Sequence, residues 1–292
     1  MDEVTVISPF SGAETTVKWG LVAGSVVWIC PTTGALFFDR MKIKASSYQN
    51  YYPYLAGFNA ERAHYELEVR RRRLNGQFSW IERNSVGDRK HIDIGAGPGY
   101  CCDIASERGW DSYGVEVSVE ARRFGEKHYS VRYVELNELK SGTINLITAH
   151  HVLEHISDVM AFLAKVKGIL VPGGLLVIYV PNIQPLSFFL KDVIKLRLGQ
   201  EVERHCDMYS DEHISGFNRR SLEKVLTFNG FETVQIFDSA QFSMHSDPWF
   251  LKDAIMSRRW LFIAKRLISA CLNTVGSAWG QGNWVIGMFR NI

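Results

Sequence analysis

The sequence has few prolines, almost no net charge and no long apolar run, and each shortage removes a class of protein. Eight prolines in 292 residues leave long stretches free for helices and strands, so a proline-rich or collagen-like chain is excluded. A formal net charge of +2 is too small to argue for nucleic acid, and no nucleic-acid partner is expected. No uninterrupted apolar segment approaches the ~20 residues of a membrane span. The opening stretch MDEVTVISPFSG carries two acids and no basic run, so no secretory leader is expected. Cysteines are scarce as well: Cys30, Cys101, Cys102, Cys206 and Cys271 are odd in number and contain no C-x-x-C pair. That argues against a disulfide framework and for reduced thiols in a cytoplasmic protein.

What is present divides into three parts. Residues 1–45 read as short strands (Val4–Ile7, Thr16–Trp19, Val26–Ile29) separated by Gly and Pro. Residues 46–89 join an aromatic stretch to a charged, proline-free segment, Asn59 to Arg83, which is expected to be helical. Its four arginines, Arg70 to Arg73, spread around a helix at about 100° per residue and are expected to be solvated.

From residue 90 to 292, strands and helices alternate. Strands are expected at His91–Ile94, Ser112–Val117, Val131–Val134, Ile144–Ala149, Leu175–Val180, Phe231–Phe237 and Asn283–Arg290. Helices are expected at Tyr100–Arg108, Val119–His128, Val152–Leu170 (stopped by Pro172-Gly173-Gly174) and Arg219–Asn229. This order predicts an α/β fold: a doubly wound, mainly parallel seven-stranded sheet with helices on both faces, plus the small N-terminal β-rich segment.

The stretch His91-Ile-Asp-Ile-Gly-Ala-Gly-Pro-Gly-Tyr100 runs an apolar strand into a glycine-rich turn that opens a helix. Gly95, Ala96, Gly97 and Gly99 allow a sharp turn and close approach of a ligand to the backbone. N–H groups at the helix start can hold an anion, and Asp93 can accept from an ammonium group. Glu116, with Val117 beside it, suits the two hydroxyls of a ribose. A dinucleotide site shares these features, but Tyr100 stands where its third glycine belongs.

His91–Tyr100, Ile144–His155 and Leu170–Asn182 together resemble, in order, the motifs of class I S-adenosylmethionine-dependent methyltransferases. The likeness is to the group holding ubiquinone O-methyltransferases and many sugar and natural-product methyltransferases, and it spans about Lys90 to Phe237. It implies S-adenosyl-L-methionine as cofactor, a Rossmann-like methyltransferase fold and a transferase activity. It points to His150 and His151 as cofactor-lining residues at the end of the fourth strand. It also points to Glu135 and Leu136 beside the adenine, where a surface charge is the other reading of Glu135.

The acceptor is expected to be a small molecule or glycan-like compound methylated on oxygen, with transfer to carbon or nitrogen, or a non-catalytic cofactor-binding subunit, as alternatives. Histidine is the usual base for such a proton. The segment Asp211–Ser221 resembles the family's acceptor-facing segment, which makes His213, with Glu212, the first candidate and His151 the second. A structural cap is the other reading of His213. His155 is taken as structural, Glu154 is expected to point elsewhere on a helix, and no metal site is expected.

Ser8-Pro-Phe-Ser-Gly12 and Cys30-Pro-Thr-Thr-Gly34 share one frame, similar to the Cys-x-x-Cys-Gly knuckles of a zinc ribbon that precedes this domain in some relatives. Ser8, Ser11 and Thr33 are poor zinc ligands, so the turns are expected to survive without metal, unless they are two unrelated turns. Finally, residues 249–275 carry apolar positions at helical spacing opposite Arg258, Arg259, Lys265 and Arg266. Such a helix packs on its own sheet, rests peripherally on an anionic membrane or forms a dimer face.

Overall fold

The computed structural model describes residues 4–22, 25–38, 55, 59–85, 87–183, 213–239 and 283–292. Glu212 and the basic segment 249–275 lie outside the described residues. No helix among the described residues is long and apolar enough to cross a membrane.

The N-terminal part forms β1 (Val6–Ile7), β2 (Glu14–Thr15), β3 (Lys18–Val22), β4 (Ser25–Ile29) and β5 (Leu36–Phe38). Neither β2 nor β5 was expected, being two and three residues long. The two turns before β2 and β5 are alike. Gly12 N–H donates to the Ser8 carbonyl at 3.0 Å and Gly34 N–H to the Cys30 carbonyl at 2.8 Å. Both glycines have positive φ, 68° and 75°, which other residues rarely adopt. Phe10 N–H donates to Ser8 Oγ, Thr33 N–H to Cys30 Sγ, and Ser11 Oγ lies 3.4 Å from that sulfur. The knuckle frame is therefore present, filled by one thiol and hydroxyls.

Helix α1 (Ala60–Glu82) starts where Asn59 accepts from Arg62 N–H at 2.8 Å. Its arginines are less solvated than expected. Arg70 pairs with Glu66 and covers the Tyr100 ring, and Arg71 pairs with Glu68 and Glu107, while Arg72 and Arg73 are exposed.

Next come β6 (Lys90–Ile94), α2 (Tyr100–Glu107), β7 (Asp111–Val115), α3 (Val119–Tyr129), β8 (Ile144–His150), α4 (Val159–Ile169) and β9 (Leu170–Pro181). After them follow β10 (Ser215–Gly216), α5 (Arg219–Phe228), β11 (Phe231–Ser239) and β12 (Trp284–Asn291). The main sheet has the order β11-β12-β9-β8-β6-β7. Its β7, β6, β8 and β9 run parallel, and β12 is antiparallel to both β9 and β11.

Six strands are thus described where seven were expected. Residues 131–134 form a single parallel bridge, Tyr133 to Gly114. The Tyr133 ring fills the space a Cβ on Gly114 would need, at 2.8 Å, and its hydroxyl donates to the Gly97 carbonyl at 2.9 Å. A 3-10 turn at Leu136–Glu138 then ends the pairing.

Strand β9 is buried on both faces, as its unbroken apolar run implies. Leu175 and Val177 pack with Leu74, Phe78 and Ile104 of α1 and α2, whereas Leu176 and Ile178 pack with Leu163, Val166, Leu222 and Val225 of α4 and α5. The expected helix from Val152 instead begins at Val159, where Asp158 accepts from Ala161 N–H. Residues 153–155 form a 3-10 turn, and β9 follows α4 without a loop, so Pro172–Gly174 lie inside the strand.

The N-terminal part is not a separate body. Strand β10 pairs with β5 (Ser215 with Phe37), and Phe38 N–H donates to the Ile214 carbonyl. Phe10 sits edge-on to Phe37 and Phe217.

Candidate active site

The glycine turn joins the ends of two parallel strands. Gly95 and Ala96 N–H donate to the Val115 carbonyl, and Gly97 N–H donates to Glu116 Oε2 at 2.8 Å. These donors are spent inside the chain. The backbone groups left for an anion are those of the first turn of α2, from Tyr100 to Cys102. Gly95 is left-handed (φ 69°), and a Cβ there would lie 2.5 Å from Val152 Cγ2. The turn therefore packs directly against the segment that follows β8.

Glu116 lies just beyond β7. Its carboxylate accepts from Gly97 and Ser118 N–H, one bond to each oxygen, at 2.8 Å. Each carboxylate oxygen has two acceptor sites, so one per oxygen is left, which matches a vicinal diol. Val117 beside it is 60% exposed, an apolar surface next to a charged diol binder. Asp93, at the end of β6, is buried. Burial pushes its carboxyl up to about 7, against the Thr148 hydroxyl bond that favours the anion, and Glu116 adds to the rise. A ligand with an ammonium group at one end and a ribose at the other fits this donor and acceptor set.

Other expected cofactor residues take different positions. The Tyr100 ring lies between Arg70 and Tyr129. Glu135 is exposed and paired with Arg122 at 3.0 Å, whereas Leu136 packs partly on the core. His150 lies between Gln77 and Asp93: Gln77 is 2.7 Å from Nε2, and Nδ1 is 4.0 Å from Asp93 Oδ1. With the Gln77 amide as donor, the His150 proton sits on Nδ1, facing the carboxylate. Burial, first, and then the Arg73 charge hold this imidazole well below its usual range.

Beyond β8 the chain makes a left-handed step at His151 (φ 56°). The 3-10 turn that follows aims Glu154 back at the histidines, not away from them as a helix would. His151 Nδ1 is 3.3 Å from Glu154 Oε1, and the His151 ring packs edge-on to Trp284 and Tyr179. Glu154 is 1% exposed, and its Oε2 has no hydrogen-bond partner among the described residues. Burial pushes its carboxyl up, but the His151 bond and the charges of His151, His155 and His213 outweigh this and hold it below the usual carboxylate range. The His213 ring lies 4.7 Å from that of His155, and Ile214 N–H donates to the Glu154 carbonyl.

One buried carboxylate thus gathers three imidazoles from two chain segments. Ligand atoms of Glu154, His155 and His213 lie within 4.8 Å of one another, a set that can hold a metal ion. The expectation of a purely structural His155 and an outward Glu154 assumed a helix that does not form. His213 lies just before β10, and its described neighbours are His155 and Glu154.

The chain is similar to known methyltransferases. Ubiquinone biosynthesis O-methyltransferase of Bradyrhizobium sp. is 32% identical over 115 residues, covering 37% of this chain and 46% of that protein. That of Rhodopseudomonas palustris is 33% identical over 116 residues, covering 37% and 45%. That of Psychrobacter arcticus is 25% identical over 223 residues, covering 66% and 79%. The chain thus spans less than half the length of the first two. A SAM-dependent methyltransferase of Archaeoglobus fulgidus superposes with a TM-score of 0.49 at 16% identity, covering 75% of this chain and 94% of that one. Residues 61–236, more than half of the chain, match the model of the methyltransferase domain. With the glycine turn, Asp93 and Glu116 set on adjacent parallel strands, the chain belongs to the S-adenosylmethionine-dependent methyltransferases.

Proposed function

We propose that this chain transfers a methyl group from S-adenosyl-L-methionine to an oxygen of a small-molecule or glycan-like acceptor, in a reducing, cytoplasmic setting. The observation that carries this reading is the Glu154–His151 pair beside the glycine turn. Because Glu154 takes the proton side of His151 Nδ1, the imidazole presents Nε2 as a free acceptor. When bound, the cofactor supplies an electrophilic methyl carbon. Transfer then requires an acceptor oxygen held in line and a group to receive its proton. Asp93 and Glu116 orient the ammonium and ribose ends, His151 Nε2 takes the hydroxyl proton, and the buried Glu154 anion balances the imidazolium that results. His213 shares that anion and is the second candidate for the proton. Ubiquinone biosynthesis O-methyltransferases among the relatives support oxygen as the acceptor atom.

The test is turnover with an acceptor identified by a gain of one methylene mass, beside cofactor affinity. Glu154→Gln is expected to lower kcat by roughly 10²–10⁴-fold with cofactor affinity unchanged. His151→Ala should lose as much, and His213→Ala less. Near-normal kcat in both His151→Ala and Glu154→Gln would remove base catalysis from this reading, and a methylated carbon or nitrogen product would remove its oxygen.

A further inference from the structure

His91 sits inside β6, two residues before Asp93 on the same strand, and is fully buried. A buried imidazole needs partners on both nitrogens, and it has them. Nδ1 is 2.8 Å from Ser112 Oγ on β7, and Nε2 is 2.8 Å from Thr148 Oγ1 on β8. The Thr148 hydroxyl donates in turn to Asp93 Oδ1 at 2.6 Å. Ser112, Thr148 and Asp93 are all at most 3% exposed, and Phe78 and Trp110 close the ring edge-on.

The direction of this chain follows from counting protons. A threonine hydroxyl has one proton, and here it goes to the Asp93 carboxylate. Thr148 Oγ1 must then accept from His91 Nε2–H, which leaves Nδ1 bare to accept from Ser112. While Asp93 is ionised, as attraction of an ammonium requires, the imidazole is held in that one neutral tautomer and is no base. Three adjacent strands each contribute one link, and the last link grips one oxygen of Asp93 while the other oxygen stays outside the chain of bonds.

We propose that His91 is a positioning residue: acting through Thr148, it fixes the Asp93 carboxylate in the orientation that receives the cofactor's ammonium group. This rests on the assignment of the cofactor site to Asp93 and Glu116. An apolar residue at position 91 would remove the donor to Thr148 Oγ1 and leave that hydroxyl only the Cys101 thiol, at 3.7 Å, beside its bond to Asp93.

The probe is S-adenosylhomocysteine, which keeps the ammonium and the ribose, titrated calorimetrically into wild type and variants, with thermal melting alongside. His91→Leu and Thr148→Val should each weaken binding roughly tenfold, the scale of one net hydrogen bond. His91→Gln, which can still donate to Thr148, should bind within about threefold of wild type. The double variant His91→Leu/Thr148→Val should bind no worse than Thr148→Val alone, because His91 acts only through Thr148. Additive losses in the double variant, or equal losses in Gln and Leu, would overturn the proposal and make His91 a packing residue. Should His91→Leu fail to fold, Ser112→Ala frees the tautomer while keeping the ring. Its loss must then vanish in the Thr148→Val background, and an additive loss overturns the proposal. If wild type does not bind the probe, or Glu116→Ala binds it equally well, the site assignment itself has failed. Tight wild-type binding with an unaffected His91→Leu removes this inference alone.

Discussion

At the scale of single residues, Asp93 and His91 make opposite demands on pH. The Asp93 carboxyl is raised from 3.8 to about 7 by burial, so its contribution to stability is complete below pH 3.8 and is lost as pH rises through 7. His91 is lowered by burial from 6.5 to about 3, so its contribution is complete above pH 6.5 and is lost as pH falls toward 3. Between about pH 4 and 6.5 the folded pair (protonated Asp93, neutral His91) carries the same number of protons as the unfolded pair, and the two slopes cancel. Asp93→Asn removes one slope. Denaturant unfolding of that variant should show stability rising with pH across this window, by up to about 1.4 kcal/mol per pH unit. Asp238, whose carboxyl burial raises to about 6, contributes an opposite slope below pH 6, so the variant is made in an Asp238→Asn background, where a pH-independent profile would mean that His91 is not held neutral. Ligand binding runs the other way for Asp93: only the carboxylate attracts an ammonium, so wild-type affinity for S-adenosylhomocysteine should rise as pH passes through 7 and level off above it.

The glycine turn and Glu116 were legible in the sequence because their roles depend on local backbone and on the end of one strand. Glu154 was not. Its direction is set by the left-handed step at His151 and by a 3-10 turn, neither of which an apolar pattern announces. A positive φ at a non-glycine residue next to a second histidine is the kind of backbone feature that marks such a site, but it is visible only once the chain is folded. His91 was missed for a related reason: its partners are 21 and 57 residues away.

At the scale of elements, the N-terminal strands hold the segment that carries His213. Strand β5 pairs with β10, and Phe10 packs on Phe217 within one core shared with α5. Removing that contact should therefore be felt at the site. Phe10→Ala leaves a cavity at a fully buried position and should cost roughly 3–5 kcal/mol. At a temperature where the variant stays folded, its kcat should fall while cofactor affinity holds. A matching loss in cofactor affinity would contradict this division of labour. The knuckle frame was legible from its repeated x-Pro-x-x-Gly spacing, and its chemistry follows from the residues now facing one another. Ser8, Ser11, Cys30 and Thr33 offer a single thiol, so chelator should leave the Tm unchanged. A Tm that falls with chelator in the wild type but not in Cys30→Ser would show that these residues, and not the Glu154, His155 and His213 set, do hold metal.

At the scale of the molecule, alternation of strand and helix was enough to give a doubly wound sheet, because each long apolar or amphipathic run must bury its face on a neighbour. The pattern misjudged the sheet's edge, where Tyr133 spends its side chain on Gly97 and Gly114 instead of extending a strand. It also misjudged where α4 begins, since the apolar residues of 152–156 serve a turn. Strands β6 and β7 end side by side, which brings Asp93 and Glu116 into one site for the two ends of S-adenosylmethionine. The most direct test is calorimetric titration of that cofactor into wild type and Glu116→Ala. One site is expected in the wild type, at least tenfold weaker in the variant because charge-assisted bonds worth roughly 1.5–3 kcal/mol are lost. Equal affinity in the two proteins, or binding of NAD as tight as that of S-adenosylmethionine, would contradict it.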